Sequence, residues 1–590
     1  MTVAGAPPGL FRAGPPRWEL SDPPDEAQAG ALSAALSLPG ELCRVLVGRG
    51  HGEVEAAKSF LRPRVAHLPE PGTLRDLAGA VERLRAAIRT GETVLVHGDY
   101  DVDGVCAAAL LTRWIRRLGG RAEAFAPHRL RDGYDLGAGG LAAARAAGAT
   151  LLVTVDCGIV AHDAVLQARE AGIDVIVTDH HAPGDRLPEA LAVVNPNRSD
   201  DPSGRGSLCG AGVAFQLCRA LAGGAGVSDD EVFLDLDLVA LATVADLVPL
   251  EAENRVLVRY GLRALERTAK PGLRALLDIC GIDGVPEAGR VGFTLAPRLN
   301  AVGRMGDAAD ALRLLLTEDP DEARRLAATA DEINTRRQEE DRRTLAEAFR
   351  QLEQDFDPDR DRGVVLAAEG WHPGVIGIVA SRVVERIHRP TVLVALDGEG
   401  GRGSARSVPG FHLHRALTRC AGHLRRFGGH AAAAGMDLDR AELDGFRAAF
   451  NQVAAEALDD DLLLPRIRVD LEVEAGAVTL ELAELARYLG PHGIGNPRPV
   501  FLARGLEVAA GREVGRGHLK LRVRSGTTTA EAIGFGLCER FHPAEIQGRR
   551  VDAVFHLSVN EYRGRKTPQM RLLDLRVLDE AGAGGSVEAA

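Results

Sequence analysis

From about Gly91 to Pro196, short apolar runs alternate with longer stretches whose apolar positions recur at helical spacing. The runs TVLV (93–96), ATLLVTV (149–155), DVIVT (174–178) and LAVV (191–194) predict strands, and VCAAALLTRWIRRL (105–118) and AHDAVLQAREAG (161–172) predict helices between them. Wholly apolar strands separated by helices form a parallel sheet covered on both faces. Ligands in such sheets sit beyond the carboxyl ends of the strands, so that edge is where chemistry is sought.

The pattern then changes. Asp319-Pro320 supplies an N-cap and a first-turn proline for a long helix. After Ile333 the run NTRRQEEDRRTLAEAFRQLEQ is polar almost all the way round, which predicts a helix bridging domains through solvent, the alternative being a frayed surface helix. Between 362 and 465, strand patterns (VVLAA, TVLVAL) return with helices and glycine-rich turns. From 466 to 578 the pattern becomes HLKLRVRS, EAIGFG, DAVFHLSV and MRLLDLRV, with the hairpin-like EYRGRK before the last; short alternating strands of this kind predict a small β-barrel. The tail AGAGGSVEAA reads as disordered.

A chain of 590 residues exceeds what one hydrophobic core serves, so several domains are expected. The net charge of −12 argues mildly against a nucleic-acid binder, although a carboxylate-rich metal site and a local basic groove are both compatible with it. The eight cysteines are scattered without a CxxC pair, so no zinc or disulfide framework is expected. The N-terminal run has no uninterrupted apolar stretch of the signal-peptide kind, and no run is long enough to span a bilayer. A soluble, cytoplasmic protein without membrane contact is expected.

The strand TVLV leads directly into His97-Gly98-Asp99-Tyr100-Asp101-Val102-Asp103-Gly104. Carboxylates at alternate positions in a glycine-bounded turn converge on a hard cation. A calcium loop of the EF-hand kind also begins this way, but it needs a Glu at its twelfth position, which here is Leu110, and a helix where TVLV stands. The next strand ends in Asp156-Cys157-Gly158 and the one after it in Asp179-His180-His181. Each alone suits a turn or a cap. Together they place carboxylates and imidazoles at neighbouring strand ends, where burying so much like charge without a cation is very costly. Asp246, at the end of the apolar run LVALATVA, either ends a helix or completes the set. So many carboxylates exceed what one ion requires. Two divalent cations ~3.5–4 Å apart, sharing a carboxylate, would suit phosphoryl chemistry, and mixed Asp/His ligation favours manganese or magnesium. Asp156, from the middle of the sheet, is the expected shared ligand.

GDYDVDG, VDCG, TDHH and ATVADLVPL, in this order, resemble the motifs of the DHH phosphoesterase superfamily. APRLNAVGRM, GWHPGVIGIVASRVVER, GRGSARS and FGGHAAAAGM resemble the stretches that go with the partner domain of these enzymes. PHGIGNPRPVF and VNEYRGRKTPQMRLLDLRV resemble in particular the superfamily's single-strand-specific DNA exonucleases. The resemblance runs from about residue 40 to 578. It implies an α/β fold: an N-terminal extension (1–40), a parallel-sheet DHH catalytic domain (41–316), a long connecting helix (317–361), a smaller α/β DHHA1-like partner domain across a cleft (362–465), an OB-like nucleic-acid-binding barrel (466–580) and a disordered tail (581–590). The implied activity is metal-dependent 5′→3′ hydrolysis of single-stranded DNA to nucleotides, in recombination and repair, with a helicase and a single-strand-binding protein as partners.

The resemblance assigns metal binding to Asp99, Asp101, Asp103, Asp156, His180 and Asp246, and gives His181 a proton-handling role beside them. His97 stays unassigned. Cys106 and Asp135 depart from the usual Thr and Gly without touching a ligand. In the partner domain, Arg402, Ser404 and Arg406 alternate along an extended segment, and arginine forks with a hydroxyl suit a terminal phosphate. Gly428-Gly429-His430 adds a turn whose backbone could approach an anion, and by resemblance Asn300 and Arg304 join this group. CGAGVAF (209–215) is like a dinucleotide fingerprint only superficially; close packing at a helix start is the expected reading. Two rivals remain: another DHH phosphodiesterase acting on oligoribonucleotides or cyclic dinucleotides, which generally ends after the partner domain, and a non-catalytic replication factor, which would not need the full ligand set.

Overall fold

The computed structural model describes residues 14–129 and 131–578, so the expected C-terminal tail lies outside the described residues. Ser59–Arg337 with Leu489–Arg498 form one compact unit; Gln338–Tyr488, the chain up to Lys58 and the chain from Pro499 form a second.

The first unit is built on a wholly parallel sheet: β1 (Thr93–Gly98), β2 (Arg121–Phe125), β3 (Leu151–Val155), β4 (Asp174–Thr178) and β5 (Ala192–Val194), in the order β2-β1-β3-β4-β5. Alternate residues serve two cores. Val94, Val96, Val153, Val155, Ile176 and Val194 face one cluster, while Leu95, Leu152, Val175, Val177 and Val193 face the other. Each such side chain contributes roughly 1.5–3 kcal/mol when fully buried. The first cluster takes in α1 (Val102–Arg117), α2 (Gly210–Gly223) and α3 (Leu236–Ala245). β2 was not legible in the sequence. As an edge strand it carries Arg121 and Glu123 outward, which breaks the apolar run that marks its neighbours.

α4 (Ala296–Met305) precedes α5, which runs unbroken over Pro320–Asp355. Asp319 caps α5 as expected, its Oδ1 accepting from the Asp321 N–H at 2.9 Å. The expectation that this helix is solvated all round after Ile333 is corrected. Ala323, Ala327, Ala330 and Ile333 are buried in the first half, and Asp341, Thr344, Leu345, Ala348, Phe349 and Leu352 in the second. Their 3–4 residue spacing is an apolar stripe diluted by Asp341 and Thr344, and only the turn around 335–340 is without a buried side.

In the second unit, β6 (Val364–Glu369), β7 (Thr391–Asp397), β8 (Gly400–Arg406), β9 (Arg426–Gly429) and β10 (Ala433–Asp439) make a mixed sheet in the order β9-β10-β8-β7-β6, with α6 (Ile376–Ile387) packed on it. β11 (Phe501–Val514), β12 (His518–Ser525), β13 (Thr528–Gly534), β14 (Arg550–Tyr562) and β15 (Arg565–Leu578) close a barrel in the order β11-β12-β13-β15-β14, with β14 returning to β11. β11 was missed because its second half is exposed and charged.

The N-terminal segment does not stand apart from the barrel unit. Arg17–Leu20 pairs in parallel with Arg466–Val469, and the Trp18 Nε1–H donates to Asp574 at 2.9 Å. Conversely, Leu489–Arg498 departs from the barrel sequence around it and folds with the first unit, where the Leu250 N–H donates to the Ile494 carbonyl at 2.8 Å.

Candidate metal centre

The sheet delivers its chemistry where the strand ends predict. Asp99 follows β1, Asp156 follows β3, and Asp179, His180 and His181 follow β4. Asp101 caps α1, its Oδ1 accepting from the N–H groups of Asp103 (2.9 Å) and Gly104 (3.1 Å). Gly104 is required here, since a Cβ would lie 2.3 Å from the Asp99 nitrogen. Asp156 holds a left-handed backbone at φ 63°, an unusual conformation for a non-glycine residue.

α2 fixes Asp103. Its first N–H groups, Gly210 and Ala211, donate to Asp103 Oδ2 and Oδ1 at 2.6 and 2.7 Å. A Cβ on Gly210 would sit 2.4 Å from the Asp156 Cβ, so CGAGVAF is a close-packing motif, as expected. Asp246 is the C-terminal cap of α3.

These residues converge. His180 Nε2 lies 3.1 Å from Asp156 Oδ1, 3.7 Å from Asp103 Oδ2 and 3.8 Å from Asp246 Oδ2. Three sets, Asp99–Asp101–Asp156, Asp103–His180–Asp246 and Asp156–His180–His181, each bring ligand atoms within 4.8 Å of one another. Asp156 and His180 each belong to two of them. Asp99 Oδ1, Asp156 Oδ1 and His180 Nε2 are buried without a hydrogen-bond partner. Burial pushes Asp99 and Asp156 well above the usual carboxylate range, with Asp101 and Asp103 respectively adding to the effect. Burial, then Asp103 and Asp101, lifts Asp246 to about 8. Burial also holds His180 low, which keeps its imidazole in the neutral, ligating form. Orphaned oxygens, mutual repulsion and a neutral imidazole together fit hard divalent cations.

Two residues that sequence reasoning left without a role support His181. Its Nδ1 lies 2.8 Å from Asp179 Oδ1, and its Nε2 lies 3.3 Å from the Tyr134 hydroxyl. Asp179 is itself locked by the N–H groups of Ile159, His180 and His181. Burial alone would lower the His181 pKa, but the bond and charge of Asp179 outweigh it and raise it to about 9. Asp179 was visible as the first residue of Asp-His-His. Tyr134, 47 residues away in RDGYDLG, had no local signal.

His97 belongs to none of these three ligand sets. It is fully buried beside Phe125, with Nδ1 3.6 Å from the Cys157 thiol, and burial lowers its pKa to about 4. Burial raises the Cys106 and Cys157 thiols well above their usual range, so neither is a thiolate. Asn300 and Arg304 lie on α4 against the carboxylate turn. Asn300 Oδ1 accepts from the Val102 N–H at 3.2 Å, and the Arg304 charge opposes the upward shift of Asp101. Gly303 lets α4 close on this turn, for a Cβ there would meet the Tyr100 carbonyl at 2.1 Å.

The other candidate residues share the sheet of the second unit. Arg402, Ser404 and Arg406 alternate on β8 with buried Gly403 and Ala405. Arg406 Nη1 donates to Ser404 Oγ at 3.2 Å and to the Ala405 carbonyl at 2.8 Å. Gly377 at the start of α6 leaves them room, its Cβ position being 2.8 Å from Ser404 Oγ and 2.9 Å from Arg406 Nη2. Gly429 is in register with Ala434, which pairs with Ala405, and has φ +136°. His430 follows it, exposed, its N–H bonded to the Ala433 carbonyl at 2.8 Å. No helix among the described residues is long and apolar enough to cross a membrane.

Comparison with known proteins matches the DHH family N-terminal domain at residues 93–243, the DHHA1 domain at 361–456 and the RecJ OB domain at 469–574. The chain is 36% identical over 567 residues to the single-stranded-DNA-specific exonuclease RecJ of Bacillus subtilis (strain 168), covering 95% of this chain and 71% of that protein. Among solved structures it matches RecJ of Thermus thermophilus in complex with Mn2+, with TM-score 0.82 and 34% identity over 97% of this chain and 81% of that one. The Mg2+ complex of the same protein matches with TM-score 0.76 and 32% identity over 95% and 79%.

Proposed function

The chain belongs to the RecJ family of single-stranded-DNA-specific exonucleases, and we propose that it shortens single-stranded DNA from the 5′ end to nucleotides during recombination and repair. The observation that carries this reading is the set of buried, partnerless ligand atoms on Asp99, Asp156 and His180 at adjoining strand ends. Asp99, Asp101, Asp103, Asp156, His180 and Asp246 would hold two divalent cations, manganese or magnesium, with Asp156 shared. When bound, such ions lower the pKa of a water and stabilise the departing oxygen of a phosphodiester.

The chain's own residues do the rest. Asp103, gripped by two backbone N–H groups, cannot swing away from its ligand position. His181, oriented by Asp179 through Nδ1 and grouped with Asp156 and His180, can hold a proton for the leaving group. Ser404 and Arg406, with Gly429 and His430, suit a 5′ phosphate, and Arg304 and Asn300 suit the strand beside the carboxylates. In this reading residues 41–316 perform hydrolysis, 362–465 hold the strand end and 466–580 grip the strand. We further infer that the enzyme works in the cytoplasm with a helicase and a single-strand-binding protein, since unpaired strand is what one produces and the other covers.

The test is to incubate the protein with each metal and end-labelled single strands, duplexes, short RNA and cyclic dinucleotides. The expected result is mononucleotides released from the 5′ end of single-stranded DNA only. Preferential cleavage of short RNA or cyclic dinucleotides would replace this reading with that of another DHH phosphodiesterase.

A further inference from the structure

The catalytic body carries large apolar side chains that its core does not use. Phe293 is 71% exposed and Leu247 68%, with Ile494 at 53%. Contacts between their segments place all three in one neighbourhood. Leu247 directly follows Asp246. Gly292, next to Phe293, lies against Val244, its Cβ position being 3.3 Å from Val244 Cγ1. The Leu250 N–H is bonded to the Ile494 carbonyl at 2.8 Å, and Arg498, further along that segment, pairs with Glu287, which precedes the Phe293 turn. The path Asp246, Leu250, Ile494, Arg498, Glu287, Phe293, Val244 therefore closes on itself.

Two of the three side chains are presented by uncommon backbone. Leu247 has φ 59°, a conformation leucine seldom adopts. Phe293 is at the middle of a π-helical turn, Val291–Leu295, which widens the helix just before α4. Such conformations persist where surrounding structure enforces them, and they cluster at functional sites. α4 itself touches the carboxylate turn through Asn300, two turns downstream of Phe293.

We propose that Leu247 and Phe293, with Ile494 beside them, form a rest for unpaired nucleobases at the edge of the metal centre. This rests on the exonuclease reading above. A strand whose phosphate reaches Asp246 passes over the residues next to it. Unpaired bases can lay their apolar faces on leucine and phenylalanine, whereas in a duplex those faces are stacked away. The patch thus helps to select single strands at the point of cleavage, separately from the barrel.

The experiment is a cycle between protein and substrate. Full-length Phe293→Ser and Leu247→Ser are compared with the unaltered protein on two single strands, one ordinary and one with abasic residues at its 5′ end. Each substitution should raise KM about tenfold on the ordinary strand, in the range of one lost base contact, and much less on the abasic one. Phe293→Trp should retain the ordinary KM, and the fluorescence it adds to that of Trp18, Trp114 and Trp371 should be quenched by oligothymidylate in metal-free buffer. Equal KM losses on both strands, no loss on either, or indole fluorescence indifferent to oligothymidylate would overturn the proposal; the second outcome would make the patch a surface for an apolar protein partner. If the unaltered protein neither binds nor cuts single strands, it is the exonuclease reading that fails.

Discussion

The carboxylate centre and the barrel surface treat charge in opposite ways. In the centre, Asp99, Asp101, Asp103, Asp156 and Asp246 gather around a neutral His180; burial and mutual repulsion raise the carboxyls of Asp99, Asp101, Asp156 and Asp246, and Asp99 and Asp156 each keep an orphaned oxygen. On the barrel, cations lie across from anions: Arg522 with Glu531 at 3.1 Å, Arg524 with Glu507 at 2.7 Å, Arg504 with Glu472 at 2.9 Å. Exposed pairs of this kind contribute only ~0–1 kcal/mol each, and each takes one cation out of the field that would attract a phosphate backbone, although Arg and Lys still outnumber Asp and Glu over 501–578. The barrel also offers exposed rings with a guanidinium beside them, Phe535 with Arg571 at 5.0 Å and Tyr562 with Arg563 at 5.3 Å. Unneutralised buried charge thus reports chemistry, while a count of surface cations says little until their partners are counted too.

The sharpest way to break this contrast is Asp156→Ala. Hydrolysis should fall at least about a hundredfold, ~2.7 kcal/mol of barrier, while the metal-free melting temperature holds or rises because like charge has been removed. Turnover above a tenth of the unaltered rate would remove Asp156 from the shared position. Arg406→Ala comes next. The preference for 5′-phosphorylated over 5′-hydroxyl ends should shrink about ten- to hundredfold, as expected for a charge-assisted hydrogen bond of roughly 1.5–3 kcal/mol. The check is kcat/KM on strands differing only in that phosphate, and equal losses on both would take Arg406 out of the end pocket.

On the barrel, Phe535→Ala and Tyr562→Ala should each weaken binding of long single strands by about five- to tenfold, toward the lower end of what a stacked base contributes. Their salt dependence should stay nearly unchanged, because the lost contact is to a ring and not to a phosphate. A large fall in the salt slope would show that the paired cations matter after all. Deleting everything beyond Pro465 is no substitute for this test, since it also removes Leu489–Arg498 from the catalytic unit.

The smallest effect concerns His181. In the metal-free protein its folded pKa, about 9, lies above the ordinary 6.5. The stability it contributes is therefore complete below about pH 6.5 and fades as pH rises through 9. Asp179→Asn removes the counter-charge while keeping the shape, so the imidazole titration followed by NMR should move down by more than a unit, and the alkaline fading of stability should weaken. A midpoint still near 9 would mean that another group holds the proton.

Much of the centre was legible because its parts are local. Each ligand cluster follows a wholly apolar strand, and Asp-x-Asp-x-Asp-Gly, Asp-Cys-Gly and Asp-His-His announce themselves within a few residues. The strands of the catalytic sheet were equally plain where both faces are buried, and β2 was lost because an edge strand needs no second apolar face. Sequence alone thus determined the parallel sheet, the barrel and the chemistry of the strand ends. What depends on distant segments meeting emerges only in the folded chain: Gly210 and Ala211 bonding Asp103, Tyr134 reaching His181, Ile494 returning to Leu250, and the apolar stripe of α5 finding cover. The physical reason is the range of the interactions. Burial patterns and strand ends are written in neighbouring residues, but a hydrogen bond between residues a hundred positions apart leaves no periodicity to read.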